Sequence, residues 1–212
     1  MPDLAVLIPV LERPHRVVPV VDAFLQTCDC TVHFIADQND ADEIKEIKRD
    51  GRGRLLVKNG SYSLKINYGV EVTHEPLLFL GADDLEPQPG WFDAARTWLG
   101  LPDIEVVGVN DLLRRDRDHA THFLITRRYA EQPLLDGARG PLCEGYSHWY
   151  CDDELIATSR HRGVYAYAES AHVKHLHYLT GDAPDDDTYR KGRSQARADG
   201  RRFEERSRLW TG

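Results

Sequence analysis

Asp83 and Asp84 stand side by side directly after the apolar run Pro76 to Leu80. Adjacent carboxylates at a strand exit suit a hard divalent cation, Mn²⁺ or Mg²⁺, shared with a substrate diphosphate. The same Gly-Ala-Asp-Asp stretch is also good turn chemistry, and Asp can cap a following helix. A second group is Cys151-Asp152-Asp153-Glu154, at the head of an amphipathic segment. An aspartate there can act as a general base, or serve as a helix N-terminal acid favoured by the macrodipole. A third is His172-Val-Lys-His175-Leu-His177. Its alternation places His175 and His177 on one face of a strand, where they can share a cation or form a polar strand face. A fourth is Lys65 with Asn67, early in a helical pattern, facing an anion or water.

These groups sit on a strand–helix alternation. Leu4 to Val10 is a continuous apolar run and reads as a buried strand. Arg16 to Thr27 has helical apolar spacing through Val17, Val20, Val21, Phe24 and Leu25. Thr31 to Ala36 is a second strand, ending in Asp37-Gln-Asn-Asp40, and Ala41 to Arg49 a short charged helix. Arg54 to Val57 is a short strand, Ser63 to Thr73 a helix, and Pro76 to Leu80 a strong buried strand. Pro89 opens a helix through Trp98, and Glu105 to Val109 is a further strand. This order predicts an α/β fold: an open, mainly parallel sheet with helices on both faces. Such sheets bind ligands outside the carboxyl ends of their strands, where Glu12, Asp37 to Asp40 and Asp83-Asp84 fall. After Leu113 the pattern becomes irregular, with a helix around Asp153 to His161. Asp182 to Asp187 is an acidic loop. Arg190 to Leu209 is a basic helix expected to pack weakly, anchored by Tyr189, Phe203 and Trp210.

The 212 residues, 41% hydrophobic and 29% charged, describe an ordinary globular chain and exclude disordered, collagenous and coiled-coil classes. No apolar run approaches the roughly 20 residues of a membrane helix. With no signal-peptide pattern and four cysteines at no zinc spacing, the expected compartment is the cytosol. The net charge of −8 is uneven. Thr188 to Gly212 holds eight Lys or Arg against three acids, and Leu113 to Arg128 five Arg against two Asp. No phosphate-cradling glycine loop and no nucleophile elbow is present.

Taken in order, Val6 to Val10, Arg13-Pro14, Asp37, Lys65-x-Asn67-x-Gly69, Phe79 to Asp84 with Pro87 and Trp91, Asp152-Asp153 and His175 form a pattern. It resembles the GT-A fold glycosyltransferases, specifically the large family-2 group, over about residues 4 to 180. Residues 1–180 are then a GT-A-like domain, and 181–212 an acidic loop with a basic C-terminal helical extension. The resemblance implies that Pro9, Val10 and Arg13 line the nucleotide base site and that Asp37 holds base or ribose. Lys65 and Asn67 lie in the nucleotide-sugar pocket. Asp83 binds metal, with Asp84, His175 and His177 as further candidate ligands. Asp153, or Asp152 one residue earlier, activates the acceptor hydroxyl if the enzyme inverts, and orients the sugar if it retains. Two departures stand out. Gly81 replaces the first acid of the usual Asp-x-Asp, and Ala36 precedes Asp37 where two acids are common.

The reading is a metal-dependent transfer of a hexose, UDP-sugar favoured as donor. A non-catalytic nucleotide-sugar or nucleic-acid binding protein and a nucleotidyltransferase are the competing classes. Small size and arginine clusters resemble small phage-type glycosyltransferases, which implies a hydroxymethylated pyrimidine of phage DNA, a virion protein or a small molecule as acceptor. For DNA, Arg114, Arg115, Arg117, Arg127, Arg128 and the Arg190 to Arg208 segment would track phosphates, and Trp149 or Tyr150 would hold a displaced base.

Overall fold

The computed structural model describes residues 2–113 and 119–211. Arg114, Arg115 and Arg117 lie outside the described residues.

The elements run in chain order β1 Leu4–Pro9, α1 Val17–Thr27, β2 Thr31–Ala36, α2 Ala41–Asp50, β3 Arg54–Val57, α3 Tyr62–Val72 and β4 Leu77–Leu80. They continue with β5 Leu85–Pro87, α4 Trp91–Leu99, β6 Val106–Asn110, β7 Phe123–Thr126, α5 Arg127–Ala130, α6 Cys151–His161, β8 Tyr165–His175, α7 Asp187–Arg206 and α8 Arg208–Thr211. Local chemistry explains the boundaries. Asp40 caps α2 through the Glu43 N–H, and Gly51 closes it at φ 73°. Ser61 caps α3 through the Leu64 N–H. No described helix is long and apolar enough to cross a membrane.

Among the described residues eight strands form one sheet in the order β3-β2-β1-β4-β7-β6-β8-β5. The first four are mutually parallel. Then β7 runs antiparallel to both β4 and β6, β8 is parallel to β6, and β5 is antiparallel to β8. The sheet is therefore mixed, parallel by four pairings to three. The antiparallel part comes from the stretch that looks irregular in sequence. There β7 is only four residues long and β8 carries a register shift opposite Val109 and Asn110.

The continuous apolar run of β1 is buried on both faces. Leu4, Val6 and Ile8 join the core under α1, α2 and α4, where Trp91 packs edge to face on Phe24 and on Phe79. Ala5 and Leu7 point to the other core, under α3, α5 and α6. Gly69 lets α3 lie close on the sheet, since a Cβ there would come within 2.9 Å of Ile35 Cδ1. The order of the parallel half makes a switch point between β1 and β4, because β2 lies on one side of β1 and β4 on the other. In open α/β sheets the crevice outside such a point is the ligand site.

Candidate active site

Arg13 and the Asp83-Asp84 pair meet at that switch point. Arg13 follows β1, and its side chain is only 6% exposed. Its NH1 donates to Asp83 Oδ1 at 3.0 Å and to Asp84 Oδ2 at 3.3 Å. Its Nε and NH2 donate to Asp186 at 2.8 and 2.9 Å, and the guanidinium lies 4.4 Å from the Tyr189 ring centroid. Burial works against the charge of Arg13, and its three carboxylate neighbours outweigh that effect.

His175 reaches Asp84 through strand register. The end of β8 pairs with β5, placing His175 opposite Leu85, one residue after Asp84. His175 Nε2 lies 3.3 Å from Asp84 Oδ1, a buried oxygen for which this imidazole is the one partner among the described residues. Burial pushes the Asp84 carboxyl up. The charge and hydrogen bond of His175, then Arg13 and the Tyr189 hydroxyl at 2.8 Å, outweigh this and hold it far below the usual carboxylate range. Burial lowers the His175 pKa, and Asp84 more than reverses the effect, so the imidazole is raised. Asp83 is pushed up by burial and by Asp84, against Arg13.

The four sequence candidates for metal ligation are thus unequally placed. Asp84 Oδ1 and His175 Nε2 face one another, while Asp83 Oδ1 is taken by Arg13. His177 does not share a strand face with His175, because β8 ends at His175 and the chain turns into a single helical turn at Tyr178–Thr180. Its Nδ1 accepts the Leu179 N–H at 3.2 Å, and its ring meets His175 edge-on at 5.1 Å. A small octahedral cation holds oxygen and nitrogen ligands at about 2.1 Å, which sets neighbouring ligand atoms about 3 Å apart. The Asp84–His175 ion pair has that spacing, so the two groups would be able to hold such a cation once the imidazole gives up its proton.

The donor candidates divide in the same way. Lys65 Nζ, 4% exposed, donates to Val10 O at 2.8 Å and lies 3.1 Å from Asp37 Oδ1. One lysine therefore ties the exits of β1 and β2, next to Pro9 at the end of β1. Asn67 points elsewhere, since positions i and i+2 on a helix do not face each other. Its Nδ2 donates to Leu142 O at 2.8 Å and Glu144 Oε1 at 3.1 Å, and its Oδ1 accepts the Leu142 N–H at 3.2 Å. It staples the 142–144 loop to α3.

Asp152 and Asp153 lie in the first turn of α6, after Tyr150, which takes the left-handed conformation at φ 66°. They flank His119, which sequence reasoning did not single out. His119 Nδ1 is 3.5 Å from Asp153 Oδ1, and Nε2 is 3.9 Å from Asp152 Oδ2. Among the described residues these three form the group whose spacing could hold a cation. Each carboxylate faces a different ring nitrogen, and the positive end of α6 opposes a cation there. The arrangement suits an imidazole shared between two acids better than a metal. The Tyr62 phenol, its pKa raised first by burial, also feels Cys151, Asp152 and Asp84.

Several of the arginines expected to meet phosphate are engaged within the chain. Arg127 donates to Glu75 O, Val70 O and Thr73 Oγ1, a structural staple beneath α3. Arg128 pairs with Glu105, Arg190 with Asp187 and Arg193 with Asp185. Trp149 is 40% exposed, and its indole N–H donates to Gly192 O at 2.8 Å. Tyr150 stacks on Phe203.

Glu43 is a second group without a sequence signal. It is fully buried, accepts the Arg13 N–H at 2.8 Å, and its other oxygen has no partner. Burial pushes its pKa up to about 7. The folded state therefore holds this proton more tightly than the unfolded chain, whose glutamate titrates near 4.3. The contribution of Glu43 to stability is greatest below about pH 4.3 and declines as pH rises to about 7. Between pH 5 and 8, Glu43→Gln should gain stability relative to wild type by on the order of 2 kcal/mol. Urea unfolding of both proteins at the two pH values measures it, and parallel pH profiles would contradict it.

No family model matches the chain, and no curated protein matches its sequence. Solved structures do match its fold. A mannosyltransferase from Pyrobaculum calidifontis in complex with GDP-Man and Mn²⁺ aligns with a TM-score of 0.68 at 14% identity, over 98% of this chain and 68% of that one. Glucosyl-3-phosphoglycerate synthase from Mycobacterium tuberculosis, with Mn²⁺, UDP and phosphoglyceric acid, aligns with a TM-score of 0.63 at 12% identity, over 90% and 74%. The same synthase with Mg²⁺ and UDP aligns with a TM-score of 0.61 at 12% identity, over 82% and 71%. The structure described above has the fold of these GT-A-type glycosyltransferases.

Proposed function

We propose that this protein moves a hexose from a nucleoside diphosphate sugar to an acceptor hydroxyl, with Mn²⁺ or Mg²⁺ held by Asp84 and His175. The observation that carries this reading is the buried Asp84 Oδ1 facing His175 Nε2 at 3.3 Å, with no further partner among the described residues, at the β1/β4 switch point. When bound, the cation offsets negative charge on the departing diphosphate. Val10, Asp37 and Lys65 form the floor for base and ribose, and Arg13 lies between that floor and the two aspartates. The acceptor oxygen attacks the anomeric carbon as the bond to the diphosphate oxygen breaks, and the nucleoside diphosphate leaves with that electron pair. The acceptor proton passes to a carboxylate at the head of α6. Asp152 is favoured over Asp153, whose carboxylate lies closer to His119, 3.5 Å against 3.9 Å. Asp153, against His119 Nδ1, orients the pair.

UDP is the favoured nucleotide, with GDP the alternative. The four thiols are unbridged, which supports a reducing, cytosolic site of action. Trp149 is the candidate acceptor platform. Transfer to hydroxymethylated DNA rests on arginines that are in part already paired, and it is tested as one acceptor beside virion protein and small hydroxyl compounds.

Calorimetric titration of UDP and of GDP checks the metal role. Either nucleotide is expected to bind at least tenfold more weakly in EDTA than in Mn²⁺, and Asp84→Asn should remove the difference. Equal binding in EDTA would contradict it.

A further inference from the structure

The C-terminal helix α7 is basic and has little apolar periodicity, yet one face of it is packed tightly against the loop that leads into α6. Tyr189, Gly192, Asp199, Gly200, Phe203 and Arg206 share that face at helical spacing. Gly192 is buried under His148: a Cβ there would come within 2.8 Å of the imidazole Cδ2. Trp149 Nε1 donates to the Gly192 carbonyl at 2.8 Å. A Cβ on Gly200 would touch Tyr150 at 3.4 Å, and Phe203 stacks on that ring at 5.3 Å. Arg206 grips Glu154 through Nε and NH2 at 2.8 and 2.7 Å, and Tyr146 donates to the same carboxylate at 2.6 Å.

Asp199 lies at the centre of this face and is 2% exposed. Its carboxylate accepts three successive backbone N–H groups, from Ser147 at 3.0 Å and from His148 and Trp149 at 2.9 Å each. Three converging N–H groups form an anion-binding concavity. Here it is filled from within the chain. These donors immediately precede Tyr150, whose left-handed backbone turns the chain into the first turn of α6 with Asp152 and Asp153. The direction of that turn is therefore set by a residue nearly fifty positions later.

We propose that Asp199 is a positioning residue of the transfer reaction: by gathering the N–H groups of Ser147, His148 and Trp149 it fixes where α6 presents Asp152 and Asp153, which makes α7 part of the acceptor half of the site. The inference rests on the transferase reading above. It differs from a purely stabilising role in what it does to turnover. A buttress lowers Tm when removed and leaves the surviving folded enzyme active. A positioning residue lowers kcat in enzyme that remains folded, because small misplacement of a reacting group is costly.

The test uses the full chain with Mn²⁺ and either UDP-glucose or GDP-mannose, whichever it turns over, with water or an active hydroxyl compound as acceptor. Asp199→Asn and, separately, Gly192→Ala are assayed well below their own Tm values. Gly192→Ala crowds His148 and leaves the Asp199 carboxylate in place. In both variants kcat should fall tenfold or more while affinity for UDP or GDP changes less than twofold. In Asp199→Asn the backbone amides of Ser147, His148 and Trp149 should also exchange faster with deuterium. Wild-type kcat in both variants with only Tm lowered would overturn the positioning role and leave the transferase reading intact. So would a parallel loss of nucleotide affinity. A wild-type protein that binds neither nucleotide and turns over neither donor would overturn the transferase reading, and the positioning role with it.

Discussion

Asp152→Asn is expected to lower sugar transfer by about two to four orders of magnitude, the usual contribution of a positioned general base. The amide keeps the shape of the side chain and removes its basicity, so nucleotide affinity should stay within about twofold. Asp153→Asn should cost tenfold or less, because its carboxylate is held closer to His119 than that of Asp152, 3.5 Å against 3.9 Å. Steady-state kinetics on the two variants and the wild type decide between them. The reverse order of effects would return the base role to Asp153. Wild-type turnover in both would remove the head of α6 from the chemistry.

The second large effect is expected at Arg13. Arg13→Met leaves the Asp83, Asp84 and Asp186 carboxylates around an apolar side chain. Removing one partner of a buried ion pair costs about 3–5 kcal/mol, which for a domain of this size corresponds to a drop in Tm of roughly 10 °C. The cation proposed at Asp84 and His175 would restore part of the lost positive charge. Mn²⁺ should therefore raise the Tm of Arg13→Met more than that of wild type. Nucleotide binding should be lost without Mn²⁺ and weak with it. Thermal melts with and without Mn²⁺ measure both effects. A Tm within 2 °C of wild type in the absence of metal would contradict the ion-pair account.

The parallel half of the sheet was legible because it is built from local pattern. Continuous apolar runs identify β1, β2 and β4, and their exits carry Arg13, Asp37 and Asp83-Asp84 within a few residues of each run. Open-sheet geometry points to strand exits, where Val10 and Asp37 fall; the Lys65 contact with both comes from α3 and is seen only in the fold. Asn67 could not be separated from Lys65 by motif. It is the helical angle between them that sends one to the strand exits and the other to Leu142.

The remainder depends on contacts that leave no periodic trace. Arg13 meets Asp186 across 173 residues, and Tyr189 reaches Asp84 across 105. The packed face of α7 carries Gly192, Asp199, Gly200 and Arg206 beside the aromatic anchors Tyr189 and Phe203, so a search for apolar spacing sees a basic helix with two anchors. Its buried surface follows from N–H groups seeking an acceptor and from rings seeking flat backbone. His119 has no motif around it, and it meets Asp152 and Asp153 only because the turn into α6 folds back. The expected alignment of His175 and His177 fails for a related reason. Strand alternation holds only while the strand lasts, and β8 ends at His175.

Incubating the wild-type protein with labelled UDP-glucose and, separately, GDP-mannose in Mn²⁺ tests the central claim most directly. Released nucleotide and labelled products are followed together, with hydroxymethylated DNA, unmodified DNA, small hydroxyl compounds or water as acceptor. The account predicts release of UDP or GDP from at least one donor, stoichiometric with sugar transferred, abolished by EDTA and by Asp84→Asn. Folded protein that binds neither donor and releases no nucleotide in Mn²⁺ or Mg²⁺ would contradict it.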